Sequence, residues 1–275
     1  MMELGIFAKT FTGPLPTVLE SVREAGLQRV QFNFACAGLP SMPEVVDEPT
    51  QTMIQAAFSQ YPLAIEAVSG TFNMIHPDPA ERLTGLRRLG VITEQCRWLG
   101  TSLVTLCTGT RNPNDMWKAH PANNLPDAWN DLRQTLDRAL ELAEQHELIL
   151  GIEPETGNVV NTVEKAALLL RQVNSPRLRI SFDPANLFEH EPLPIVTERL
   201  THGLDLLGEF IVTAHAKDRD AQGQIVAAGR GVLPYATYLR GLKEIDYPGN
   251  LILHGLNPQE VGSSVQFLRQ QLAAI

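Results

Sequence analysis

Eight apolar runs rich in β-branched residues recur along the chain, near residues 3–9, 28–34, 63–72, 102–107, 148–153, 178–183, 210–216 and 250–254. Between them, apolar residues at three- and four-residue steps predict helices at 16–25, 81–99, 128–146, 163–173, 196–207, 235–245 and 259–272. In the clearest of these, Trp129, Leu132, Leu136, Leu140 and Ala143 share one face. Eight strand-and-helix units in 275 residues have the count and size of an α/β fold, the single (β/α)8 TIM barrel, here one domain over 1–275. A doubly wound open sheet would not need eight units, and it usually carries a Gly-rich phosphate turn after its first strand, which this chain lacks.

Three of the runs end on a potential metal donor: Glu153 after 148–152, Asp183 after 178–182 and His215 after 210–214. Parallel strands of a barrel open at one mouth, so these side chains would converge and hold a divalent cation. Each also has a structural role open to it. Asp183 precedes Pro184 and can cap the next helix, Glu153 can pair with an arginine, and His215 can be a satisfied core histidine. Their shared place at strand ends favours a site.

Composition narrows the partners. A net charge of −9 works against nucleic acid, whose backbone needs a local excess of Lys and Arg. No apolar run approaches the roughly 20 residues that span a bilayer, so no membrane association is expected. The chain enters its first strand without a basic region or cleavage pattern, and a cytoplasmic location is expected. Cys36, Cys96 and Cys107 are widely spaced, which fits a reducing compartment better than a disulfide framework or a zinc knuckle.

Two connections that leave strands are long. The one after the fourth run passes Arg111, Trp117 and His120; the one after the seventh passes Lys217 and Asp218 to Gly229-Arg230-Gly231. Each is either a solvated turn or a substrate lid or anion-binding turn.

Together, Gly151-Ile152-Glu153-Pro154-Glu155, Phe182-Asp183-Pro184-Ala185-Asn186, Ala214-His215-Ala216-Lys217-Asp218 and Gly229-Arg230-Gly231 resemble the xylose isomerase-like TIM-barrel superfamily, and within it the sugar phosphate isomerase/epimerase group. The resemblance covers almost the whole chain. It implies that Glu153, Asp183 and His215 bind one divalent ion (Mn, Co, Mg or Zn), and that the substrate is a small sugar or hydroxycarbonyl compound isomerised or epimerised by proton transfer through an enediolate. Ketose epimerases add a second glutamate from the eighth strand, where this chain has His254. A neutral imidazole is a competent fourth ligand or a proton carrier, but one ring nitrogen cannot be both. With Glu153 as the retained carboxylate, one-base isomerisation fits slightly better than two-base epimerisation.

Glu155 would face the same way as Glu153 and support it. Lys217 would hold an oxyanion or a phosphate, unless it extends to solvent. Arg111 and Arg230 are candidates for an anionic group, Trp117 for walling off water, Asn186 for a substrate hydrogen bond, and His76 for the mouth below the third strand. The apurinic endonucleases share this barrel with further metal ligands, but the matching places hold Cys107, Asn186, Ala227 and Ala228. A barrel that binds sugar or metal without turnover is the other alternative, and homo-oligomerisation is left open.

Overall fold

The computed structural model describes residues 2–275, and Met1 lies outside the described residues. Eight parallel strands close into a barrel: β1 (Leu4–Phe7), β2 (Arg29–Phe32), β3 (Ala64–Ser69), β4 (Leu103–Cys107), β5 (Ile149–Glu153), β6 (Leu178–Phe182), β7 (Ile211–Ala216) and, after a hairpin, β10 (Leu251–Leu253). β10 pairs with both β7 and β1, which removes the sheet's edges. The hairpin, β8 (Asp218–Arg219) with β9 (Ile225–Val226), stands apart as an antiparallel pair after β7. The expected TIM barrel is therefore present.

The helices are α1 (Leu15–Glu24), α2 (Glu48–Ser59), α3 (Pro79–Leu99), α4 (Pro126–Gln145), α5 (Val163–Val173), α6 (Leu193–Leu207), α7 (Tyr235–Glu244) and α8 (Val261–Ala273). In α4, Leu132, Leu136 and Ala143 of the predicted stripe are buried, while Trp129 and Leu140 are only partly buried and Ala128 and Ala139 take the inner positions beside them. α2 is absent from the sequence expectations. It buries only Ile54 and Ala57, too few apolar positions to stand out as a period, and its start is set by Asp47, whose side chain accepts from Thr50 N. Among the described residues, no helix is long and apolar enough to cross a membrane.

The chain leaves β4 and β5 in loops that are latched together. Asn158 reaches from the second loop to the first, accepting from Gly109 N at 2.6 Å and donating to Met116 O at 3.1 Å. Asn123 reaches back, donating to Gly157 O at 3.0 Å. Gly109 needs to be glycine, because its φ is +79° and a Cβ there would run into Asn73. The long connection after β4 is thus a fixed wall of the mouth.

Candidate metal and sugar site

Strand ends bring the donors together. Glu153 is the last residue of β5, Asp183 follows β6 directly, and His215 lies one residue before the end of β7. One ligand atom from each lies within 4.8 Å of the others. His215 Nδ1 is 3.6 Å from Glu153 Oε1 and 3.6 Å from Asp183 Oδ2. The capping role foreseen for Asp183 coexists with this arrangement. Its Oδ1 accepts from Ala185 N at 3.0 Å, while Oδ2 is turned to the cluster.

Lys217 and Asn186 complete the floor. Lys217 Nζ lies 2.7 Å from Asp183 Oδ2 and donates to Asn186 Oδ1 at 2.9 Å. Asn186 Nδ2 in turn donates to Glu153 Oε1 at 3.0 Å and to Pro154 O at 3.1 Å. Two tyrosines of α7 hold the backbone that presents these groups, Tyr238 OH donating to His215 O and Tyr235 OH to Lys217 O, both at 3.1 Å.

His254, just past β10, is not a member of the donor cluster but stands against it. Its ring is stacked between His215, at a centroid distance of 5.3 Å, and Phe7, at 5.0 Å. Two ring nitrogens here, His215 Nδ1 and His254 Nδ1, are buried without a hydrogen-bond partner, and Asp183 Oδ2 has the Lys217 ammonium on one side only. Buried polar atoms are nearly always satisfied, so orphans grouped at a set of N and O donors fit a cation.

Burial opposes every charge here, and the neighbours decide the outcome. Burial works against ionising Asp183 and Glu153, but Lys217 beside the first and His215 beside both hold the two carboxyls below their usual range. Burial likewise works against charging His215, and Glu153 and Asp183 overcome it, raising the imidazole to about 9. Glu155 goes the other way. Burial first, then the charge of Glu153, push its carboxyl up to about 8, so it is protonated at neutral pH. Burial and then the charges of Lys217 and His215 lower His254 to about 4 and keep it neutral.

The remaining sequence candidates lie elsewhere or are engaged. Arg111 is buried, and its guanidinium binds Asp131 at 2.7 Å, Asp127 at 3.5 Å and Ile75 O at 3.0 Å. His76 bonds backbone through both nitrogens, to Pro113 O and from Asp78 N. Trp117 is 53% exposed on the loop after β4. Arg230 is exposed, and the backbone N–H groups around it are already committed. Gly229 N and Gly231 N donate to Asp218 Oδ2, and Leu233 N to Asp218 Oδ1. The glycine turn does bind an anion, but the anion is the chain's own carboxylate. The sequence reading missed Phe7 and Gln31; the one legible signal was Gln31, an amide inside an otherwise apolar strand.

A model of the xylose isomerase-like TIM barrel matches residues 19–271. The chain belongs to that family. Solved structures of the xylose isomerase-like fold superpose on nearly all of it. The 3-keto-D-glucoside 4-epimerase YcjR from E. coli shares 16% identity at a TM-score of 0.77, over 98% of this chain and 100% of that one. A D-tagatose 3-epimerase-like protein shares 18% at a TM-score of 0.77, over 99% and 98%. The IOLI protein, solved with a bound zinc atom, shares 17% at 0.74, over 99% and 97%. At these identities the likeness is one of fold. No curated protein sequence matches the chain.

Proposed function

We propose that this protein is a metal-dependent isomerase or epimerase of a small, uncharged sugar or hydroxycarbonyl compound. The observation that carries the reading is the convergence of Glu153, Asp183 and His215, with His215 Nδ1 buried without a hydrogen-bond partner between the two carboxylates. The sugar epimerases of the same fold, and the zinc bound by the IOLI protein, support it.

Glu153, Asp183 and His215 would hold the ion. The fourth position falls to His254, whose neutral ring adds a donor without adding charge and whose Nδ1 is buried without a partner. A divalent ion held there would polarise a carbonyl and the adjacent hydroxyl oxygen and so acidify the C–H between them. Glu153, ionised at neutral pH, takes that proton and returns it to the neighbouring carbon. Asn186 fixes the Glu153 carboxylate through its Oε1. The Lys217 ammonium offsets negative charge that develops on the substrate oxygens, and the protonated Glu155 donates to a substrate hydroxyl.

The substrate is uncharged in this reading because the groups that would grip a phosphate are occupied. Arg111 is paired with Asp131, Lys217 with Asp183, and the glycine turn with Asp218. The two ionised carboxylates, Glu153 and Asp183, would also face an incoming dianion. The test is a panel of neutral and phosphorylated ketoses and hydroxyaldehydes incubated with protein and Mn2+ in deuterated water. Deuterium should enter one carbon next to the carbonyl of a neutral sugar. Exchange confined to phosphorylated compounds would contradict the neutral-substrate reading, and no exchange in any would leave a binding barrel without turnover.

A further inference from the structure

Below the donor cluster, inside the barrel, His215 meets two polar side chains, and one of them leads on to a third, from strands that do not adjoin one another. His215 Nε2 lies 3.1 Å from Gln31 Oε1, on β2, and 3.4 Å from Ser181 Oγ, on β6. Gln31 Nε2 donates onward to Thr105 Oγ1, on β4, at 3.2 Å. All four residues are buried, Gln31 at 4% exposure and His215 at 0%. An amide inside an apolar barrel costs free energy unless its hydrogen bonds are made, so its presence there has to be balanced by what it contacts. Its contacts run to the ring of His215 and to the group that fixes the amide's own orientation.

From this we infer that Gln31 is a positioning residue for metal binding: by accepting the Nε2–H of His215 it fixes the ring's tautomer and rotation, so that the Nδ1 lone pair points between Glu153 and Asp183. The polarity of the chain of contacts follows from its ends. A neutral imidazole that offers Nδ1 to a cation carries its proton on Nε2, so the amide must present its oxygen there. That leaves the amide N–H for the Thr105 hydroxyl, which is the contact observed. Outer hydrogen bonds of this kind orient a ligating histidine and raise its basicity.

This inference rests on the metal-site reading, and the experiment separates the two. Zn2+ affinity would be measured calorimetrically for the wild type, Gln31→Met, which keeps the volume but has no acceptor, and Gln31→Glu, which keeps the acceptor. The expected result is a loss of about 10- to 100-fold for Gln31→Met and substantial recovery in Gln31→Glu. In parallel, long-range 1H–15N spectra of the Zn2+-loaded wild type should show His215 with a slowly exchanging proton on Nε2. That measurement decides the matter even if Gln31→Met does not fold. A wild type that binds no Zn2+ would remove the metal site and this inference with it. A wild type that binds while Gln31→Met binds equally well, or a His215 without a proton on Nε2, would overturn the role of Gln31 alone.

Discussion

Lys217 Nζ lies 2.7 Å from Asp183 Oδ2, the same oxygen that faces His215 Nδ1 at 3.6 Å. An ammonium and a metal ion would therefore share one carboxylate, and the lysine partly neutralises the cluster on its own. Removing it leaves a buried carboxylate with less compensation, a change that costs about 3–5 kcal/mol in comparable pairs. Lys217→Met should accordingly lower the melting temperature without metal, and added Mn2+ should raise it by more than in the wild type, because the ion restores the missing positive charge. Equal Mn2+ shifts in the two proteins would show that lysine and metal do not act on the same oxygen.

Glu155 sets a pH dependence with a definite sign. Burial, then the charge of Glu153, raise its carboxyl from an ordinary 4.5 to about 8. Over that interval the folded protein keeps a proton that the unfolded chain has lost, so stability falls as pH rises. His215, raised from 6.5 to about 9, acts in the same direction: its contribution is complete below 6.5 and is lost as pH climbs through 9. Thermal melts in chelator should show falling stability from about pH 6 to about pH 9, and Glu155→Gln, which has no charge to bury, should fall less steeply. Parallel curves for the two proteins would exclude Glu155 as a source of the slope.

The barrel and the three donors were legible because both follow from local pattern. Apolar runs mark the strands, and parallel strands carry residues at their ends to one mouth, so Glu153, Asp183 and His215 could be grouped from position alone. Partnerships across the barrel carry no such signal. Gln31 meets His215 although 184 positions separate them, and Phe7 stacks on His254 from the other end of the chain. In sequence the turn Gly229-Arg230-Gly231 suits a solvated turn, a substrate lid or an anion-binding turn alike; only the fold shows Asp218 already in it. Arg111 is open in the same way, since a guanidinium looks alike in sequence whether it meets a ligand or Asp131.

That distinction is open to mutation. Arg111→Ala should destabilise the protein by about 1–3 kcal/mol, because the loop wall loses the guanidinium's bonds to Asp131 and Ile75 O while Asp131 keeps Arg82 at 3.2 Å. Arg230→Ala, on an exposed turn, should stay within about 0.5 kcal/mol of the wild type. Neither change should alter the ratio of KM values for a neutral sugar and its phosphate ester. A selective loss for the phosphorylated substrate in either variant would restore an anion pocket.

In the proposed reaction Glu153 carries a carbon-bound proton beside a metal held with Asp183 and His215. Glu153→Gln keeps the shape of the side chain and a donor oxygen while removing its basicity. With a neutral substrate and Mn2+ in deuterated water, the wild type should incorporate deuterium next to the carbonyl. The variant should lose incorporation by several orders of magnitude while still binding the sugar. Exchange that persists in Glu153→Gln at a rate near that of the wild type would contradict the account.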